Sequence, residues 1–329
     1  MSGINPNEVR FFSGSSNRPL AADIAAHLGV PLDKTRISRF SNDNLYIQLS
    51  ASCRSRAVFI VQSLSPPVND HLVELLMMLD IARSAAAKEI HAIIPYFSFA
   101  RSDKKDAPRI SITARLVADL LQTAGATHVM TMMLHSPQVH GFFGVPADPL
   151  TARPVFEDYF RSRDLSDTIV VAPDVGHLKS AARFAESFKL PVAAGNKERV
   201  SDTQVVISGL VGHQVCGFRR AMIFDDEIAT GSSVLELCRV LLDNDVKEIW
   251  AVCTHGVFTG RALERLAATP QITEIVTTDT VHIPPEKRPP KLHVVSVASI
   301  FGEAIRCNYL HKSIGDLFVY GVPDAEREQ

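Results

Sequence analysis

The chemistry of this 329-residue chain is concentrated in one stretch, Ala221-Met222-Ile223-Phe224-Asp225-Asp226-Glu227-Ile228-Ala229-Thr230-Gly231-Ser232-Ser233. A short apolar run reads as a buried strand. An acidic triplet follows, and then a small-residue loop, Ala229 to Ser233, opens a helix. The helix is predicted because Val234, Leu237, Cys238, Leu241 and Leu242 recur at helical spacing. A strand, a tight loop and a helix start make a phosphate cradle, because backbone N–H groups at a helix N-terminus point at an anion and the dipole favours negative charge there. Thr230, Ser232 and Ser233 add hydroxyl donors, and Gly231 lets the backbone come close. Asp225 and Asp226 would repel a bare phosphate. They make sense if they hold ribose hydroxyls or a metal ion, so the ligand implied is a sugar phosphate. The plainer alternative is an Asp-rich turn capping an ordinary helix.

The elements that must position these residues follow from pattern. A chain of this length predicts two domains, and the sequence carries a duplication. Phe11-Phe12-Ser13-Gly14, a helical stretch and Leu28-Gly29-Val30-Pro31 parallel Val170-Val171-Ala172-Pro173-Asp174, a helical stretch and Lys189-Leu190-Pro191. Val58-Phe59-Ile60-Val61 and Lys88-Glu89-Ile90 parallel Met222-Ile223-Phe224 and Lys247-Glu248-Ile249 at a near-constant offset, the mark of a domain duplication. Apolar strands such as Ala92-Ile93-Ile94 and 128–133 alternate with helix stripes such as Leu72, Leu75, Leu76, Leu79 and Ile112, Leu116, Val117, Leu120, Leu121. That alternation predicts mostly parallel sheets covered on both faces, with ligands at the carboxyl ends of the strands. The boundary is expected within 148–168, where Pro149, Pro154 and Arg161-Ser162-Arg163-Asp164 interrupt the pattern, and the tail after Pro323 is expected to lack order. The two copies differ at the key loop. The first has Ser63-Leu64-Ser65-Pro66-Pro67-Val68-Asn69-Asp70, without the acidic pair or Thr-Gly-Ser.

Composition excludes several classes. Hydrophobic residues are 46%, charged residues 21% and net charge is −2, so the chain reads as globular and gives no electrostatic case for nucleic acid or a membrane surface. The stretch 1–9 is polar, without the apolar core of a signal peptide, and no apolar run approaches a spanning length. Five cysteines without paired spacing (Cys53, Cys216, Cys238, Cys253, Cys307) fit a reducing cytoplasm, argue against a zinc site and read as core residues.

The stretch 221–233 resembles the phosphoribosyl-pyrophosphate loop of the type I phosphoribosyltransferase fold. Further blocks extend the likeness to about residue 310: Arg39-Phe40-Ser41-Asn42-Asp43-Asn44, Asn69-Asp70-His71-Leu72-Val73-Glu74-Leu75-Leu76, Pro95-Tyr96-Phe97, Ala100-Arg101-Ser102-Asp103-Lys104, Leu134-His135, Gly141-Phe142-Phe143, Pro173-Asp174-Val175-Gly176, Lys197-Glu198-Arg199 and Thr254-His255-Gly256-Val257-Phe258. Together they resemble the ribose-phosphate pyrophosphokinase family. The resemblance implies an α/β fold of two duplicated type I phosphoribosyltransferase-like domains, each a mostly parallel sheet flanked by helices. Domains are expected at 1–155 (ATP-binding segments), 156–310 (ribose 5-phosphate loop and catalytic flap) and 311–329 (extension and tail). The implied reaction moves the pyrophosphoryl group of ATP to the C1 hydroxyl of ribose 5-phosphate, for nucleotide biosynthesis.

Roles follow by the same resemblance. Lys197 and Arg199 are catalytic, on a polar loop, Gly195 to Ser201, that closes as a flap. Phe40, Asn42, Asp43, Asn44, Arg101, Ser102, Asp103, Lys105 and His135 meet ATP. Asp225 and Asp226 hold the ribose hydroxyls, and Ala229, Thr230, Gly231, Ser232 and Ser233 the 5-phosphate. His135 and Asp174 ligate or orient Mg2+, which takes few protein ligands. Implied partners are the two small substrates and further copies of the chain, dimer-based up to a hexamer, in the cytoplasm. The sequence also departs from the pattern. Met133 stands where the family has Asp, Asp43 and Asn44 replace Gly and Glu, Ser102 replaces Gln, Ala229 replaces Asp, and His177 replaces a Gly. Two other readings are a weakly active or inactive regulatory relative that assembles with an active synthetase, and a phosphoribosyltransferase, which has no use for a duplicated ATP-binding copy.

Overall fold

A computed structural model describes residues 3–199 and 205–318. It divides into two compact units, Met1–Ala152 with Thr280–His282 and Ser296–Gln329, and Arg153–Asp279 with Ile283–Val295.

Unit 1 is built on β1 (Val9–Ser13), α1 (Arg18–Leu28), β2 (Thr35–Arg39), β3 (Leu45–Leu49), β4 (Ala57–Val61), α2 (Val68–Ser84), β5 (Glu89–Ile94), α3 (Thr113–Ala124), β6 (His128–Met132) and β7 (Ala147–Leu150). Its main sheet has the order β1-β4-β5-β6-β7 and every pairing is parallel. The central strands are buried along their length, as a sheet covered on both faces requires. Local signals start and stop the helices. In α1, Asn17 accepts from the Leu20 N–H at 3.4 Å, Pro19 sits in the first turn, and Gly29 closes the helix at φ 67°. β2 and β3 form a separate antiparallel hairpin whose turn is the segment 40–44.

Unit 2 repeats this plan with α4 (Arg153–Phe160), β8 (Thr168–Ala172), α5 (Leu178–Glu186), β9 (Val192–Arg199), β10 (Val205–Gly212), β11 (Arg220–Ile228), α6 (Ser232–Asp243), β12 (Glu248–Gly256), α7 (Ala262–Ala268), β13 (Ile272–Thr278) and β14 (Leu292–Val295). Its sheet runs β10-β9-β8-β11-β12-β13-β14. Five parallel strands, β8-β11-β12-β13-β14, match the five of unit 1 in order, which bears out the duplicated α/β architecture. The hairpins correspond as well. β9 joins β8 in parallel, where unit 1 has a single parallel bridge from Phe12 to Asp33. Beneath β11, Phe224 stacks on Phe184 of α5 at 4.3 Å and meets Phe156 of α4 edge-on at 6.0 Å, which fixes both helices against the strand that carries the acids.

The region 148–168, where the pattern is interrupted, carries ordered elements, and the two units part within it. Pro149 lies in β7, an edge strand that can spare its N–H, and Pro154 lies in the first turn of α4. The units part at Ala152/Arg153. The last helix, α8 (Ala298–Tyr309), expected with the second domain, belongs to unit 1 and packs on α1. The contact is close enough that a Cβ on Gly302 would lie 2.4 Å from the His27 ring. The segment from Gly195 to Arg199 is no loop: it is the second half of β9, paired antiparallel with β10. Cys216 is exposed, whereas the other four cysteines are buried as expected. The tail beyond 318 lies outside the described residues.

Candidate functional site

Unit 2 gathers its acids at the carboxyl ends of β8 and β11, which are parallel neighbours. β11 runs further than its apolar run suggests. It passes through the acidic triplet, with Asp225 opposite Cys253 and Glu227 opposite His255 of β12. Asp225 and Asp226 are therefore held by the sheet ladder and are buried, at 9% and 6% exposure. Their mutual geometry is fixed by the Asp226 N–H, which donates to Asp225 Oδ1 at 2.8 Å. Burial, and then the neighbouring charge of Asp226, push the Asp225 carboxyl well above the usual carboxylate range.

Asp174 follows β8 and caps a short 3-10 turn, Val175–His177, by accepting from the His177 N–H at 3.2 Å. The same Oδ1 lies 3.0 Å from His177 Nδ1. His177 Nε2 reaches Asp226 Oδ1 at 3.3 Å and lies 4.0 Å from Asp225 Oδ1. Burial works against a charge on this imidazole. The hydrogen bonds to Asp174 and Asp226, with the charges of Asp226 and Asp225, outweigh that and hold its pKa up at about 11. His177 is the site residue that the sequence reading missed. The signal was present as a histidine in a glycine position, but nothing in the sequence said which way the ring would turn.

The strand, turn and helix start expected at this stretch are present. Ala229 to Gly231 turn out of β11, Gly231 stands at φ 72°, and α6 begins at Ser232. This left-handed conformation is one that glycine adopts without penalty. Gly231 brings no capping side chain of its own, so the first-turn N–H groups of α6 point out along the helix axis. Thr230 Oγ1 faces Ser232 Oγ at 3.3 Å, so two hydroxyls share the mouth of the turn. The loop is braced from below by the residues after β12, with Phe258 N–H donating to Ile228 O at 3.0 Å and Thr259 N–H to Ala229 O at 2.9 Å. Lys197 and Arg199 end β9; their side chains lie outside what is described.

Unit 1 places the expected nucleotide residues at two loops and a strand end. Phe40, Asn42, Asp43 and Asn44 form the tip of the β2–β3 hairpin. Phe40 is 57% exposed, with its ring edge-on to Tyr46 at 5.7 Å. Asp43 adopts φ 67°, a conformation open to glycine and tolerated by Asp, which explains how it stands in a glycine position. Arg39 pins this turn: its guanidinium bonds Asp43 Oδ1 at 2.9 Å and Asp70 Oδ2 of α2 at 2.9 Å. Arg101 ends a 3-10 turn and is exposed, and Asp103 and Lys105 follow in the adjoining loop. Ser102 serves the loop itself, its hydroxyl lying 3.3 Å from Thr113 Oγ1 at the start of α3. His135 lies just past the carboxyl end of β6, after Met133, whose φ is 43°. Where unit 2 has its acid pair, unit 1 has a closed network: Gln62 donates to Glu74 at 2.9 Å, and Glu74 accepts from the Ser15 hydroxyl at 2.8 Å.

Comparison with known proteins agrees with this layout. Residues 9–125 match the N-terminal domain of ribose phosphate pyrophosphokinase, and residues 208–319 match the phosphoribosyl synthetase-associated domain. The ribose-phosphate pyrophosphokinase of Deinococcus radiodurans is 46% identical over 312 residues, 93% of this chain and 97% of its own. That of Corynebacterium ammoniagenes is 41% identical over 319 residues, 96% of this chain and 98% of its own. The crystal structure of phosphoribosylpyrophosphate synthetase from Mycobacterium smegmatis superposes with a TM-score of 0.86 at 33% identity, covering 92% of this chain and 99% of that one. With 46% identity over nearly its whole length and a close structural superposition, the chain belongs to the ribose-phosphate pyrophosphokinase family.

Proposed function

We propose that the protein transfers the pyrophosphoryl group of ATP to the C1 hydroxyl of ribose 5-phosphate, giving phosphoribosyl pyrophosphate and AMP. The observation that carries this reading is the buried pair Asp225 and Asp226 at the end of β11, directly before the α6 phosphate turn. Carboxylates beside an anion cradle fit a ligand with hydroxyls a few ångströms from a phosphate. In this reading Asp225 and Asp226 accept from the ribose hydroxyls, and Ala229 to Ser233 cradle the 5-phosphate. The C1 oxygen attacks the β-phosphorus of ATP, the bond from that phosphorus to the α-phosphate oxygen breaks, and AMP leaves. The hydroxyl proton is released to solvent water.

Such a transfer needs positioning and positive charge more than covalent help. Lys197 and Arg199, on the β9–β10 hairpin, would supply that charge to the transferring phosphates. For ATP, Phe40 offers an exposed aromatic face to the base, with Asn42, Asp43 and Asn44 around it. Arg101, Ser102, Asp103, Lys105 and His135 complete the nucleotide set. His135 and Asp174 are the proposed Mg2+ residues; the carboxylate oxygens of Asp174 suit a hard cation, so the residues fit Mg2+. When bound, Mg2+ neutralises phosphate charge. Among the described residues no helix is long and apolar enough to cross a membrane, and the cytoplasm is the proposed compartment. Further copies of the chain are the proposed partners, as a dimer-based assembly.

The test is direct. Purified protein with ATP, Mg2+ and ribose 5-phosphate should form AMP and phosphoribosyl pyrophosphate in equal amounts, and ATP alone should give no AMP. Failure to form AMP in the presence of ribose 5-phosphate would overturn the assignment.

A further inference from the structure

The β2–β3 hairpin has two different faces, because side chains alternate along a strand. Ile37 and Ile47, paired across the hairpin, turn inward: Ile47 is buried in the core of unit 1 and Ile37 packs against that core. Arg39, two residues on from Ile37, shares the inward face and reaches α2, where its Nη2 donates to Asp70 Oδ2 at 2.9 Å. Tyr46 lies on the outer face with Phe40 beyond it, their rings edge-on at 5.7 Å. The other end of the guanidinium holds the turn. Nη1 donates to Asp43 Oδ1 at 2.9 Å and to the Asp43 carbonyl at 3.0 Å. The turn also has two backbone bonds of its own, Phe40 N–H to Asn44 O and Asp43 N–H to Phe40 O, both 2.9 Å, and neither reaches α2. A guanidinium offers its donors in a fixed plane, so it can hold both carboxylates at once. A glycine at 43 would offer the carbonyl and no carboxylate.

We propose that Arg39 is a positioning residue for the nucleotide: it clamps the hairpin turn, through Asp43, to α2, through Asp70, and so fixes the direction in which the neighbouring Phe40 shows its face to the base. The inference rests on the function proposed above, since it takes ATP as the ligand of this turn. The clamp is open to solvent, with side-chain exposures of 39% for Arg39, 51% for Asp70 and 83% for Asp43. Its strength is therefore modest, and it acts on binding more than on the fold.

The test is steady-state kinetics of AMP formation by the full-length protein, with ATP and ribose 5-phosphate varied in turn. Arg39→Ala should raise the KM for ATP about three- to tenfold, the range expected from the loss of two exposed ion pairs. The kcat and the KM for ribose 5-phosphate should stay within about twofold of the parent, and melting should stay close to it. Arg39→Lys keeps the charge without the fork and should recover only part of the loss. Asp70→Asn separates positioning from direct contact. If Arg39 positions the turn, freeing it from α2 raises the KM for ATP. If Arg39 met the nucleotide itself, releasing it from a carboxylate would lower that KM. The double variant Arg39→Ala/Asp70→Asn should be no worse than Arg39→Ala, since both changes cut one link. The inference is overturned if Arg39→Ala leaves the KM for ATP unchanged, or if ribose 5-phosphate suffers by the same factor. It is overturned equally if Asp70→Asn leaves the KM for ATP unchanged or lowers it, or if the two effects multiply in the double variant. A parent that forms no AMP overturns the functional reading instead, and the inference with it.

Discussion

At the scale of the residue, the site divides into groups fixed by the sheet and groups carried on a hairpin. Asp225 and Asp226 are fixed: ladder pairing and a backbone hydrogen bond set them before any ligand arrives. Lys197 stands near the end of β9, and in the proposed function its charge acts once phosphates are bound. Replacing Lys197 with Ala should therefore lower kcat and leave ribose 5-phosphate affinity nearly intact. Loss of one transition-state contact typically costs about 2.7–4 kcal/mol, a drop of roughly 10²–10³-fold in rate. Steady-state kinetics beside calorimetry checks it, and an unchanged kcat would remove Lys197 from the chemistry.

At the scale of the element, the β11–α6 turn depends on one backbone conformation. Gly231 at φ 72° lets the chain leave β11 and start α6 within three residues, and an added Cβ would lie 3.3 Å from Leu266 Cδ1. Gly231→Ala should cost about 1–2 kcal/mol in backbone strain, which lowers Tm by a few degrees, roughly 2–4 °C per kcal/mol in a domain of this size. Affinity for ribose 5-phosphate should fall with it, because the first-turn N–H groups shift. A variant that melts and binds like the parent would show that the turn tolerates a side chain. The β9–β10 hairpin makes a similar point from the other side. A polar run such as Asn196-Lys197-Glu198-Arg199 carries no alternating apolar pattern, so periodicity gives no strand there. Pairing with β10 and, further back, with β8 makes it one.

At the scale of the whole molecule, two consequences follow. The first concerns where the chain can be cut. α8 buries Ile300, Phe301, Ala304 and Ile305 and packs on α1 in unit 1. A fragment of residues 155–310 would therefore carry an apolar face with no partner, and it should self-associate. A fragment of residues 153–295 should stay monodisperse and bind ribose 5-phosphate, yet form no AMP. Size-exclusion chromatography separates the two, and equal behaviour would place α8 outside the unit 1 core. The second concerns acid. In unit 1, His91 Nδ1 lies 3.0 Å from His128 Nδ1, and His128 faces Asp148 at 2.7 Å. Burial first, then the charge of His128, push His91 down to about 4 from 6.5. The folded protein thus keeps His91 neutral while the unfolded chain takes up a proton below 6.5, so stability falls as pH drops from 6.5 toward 4, by up to about 3 kcal/mol. His91→Gln should flatten that slope in denaturant melts taken across the range, and an unchanged slope would move the acid sensitivity elsewhere.

Much of this was legible in the residues alone. The duplication, the parallel sheets and the α6 cradle follow from apolar runs, helical spacing and a Thr-Gly-Ser turn. These signals are local, because a strand, a helix start and a left-handed turn are each decided within a few residues. Ladder pairing carried β11 through its acids, and packing on α1 assigned α8 to the first unit. The direction of His177 was decided by Asp174 on one side and Asp226 on the other, which lie 52 residues apart in sequence and meet only because β8 and β11 are neighbours. Residue types and their spacing set what chemistry the chain carries. Which groups touch depends on strand order and burial, and those belong to the folded molecule.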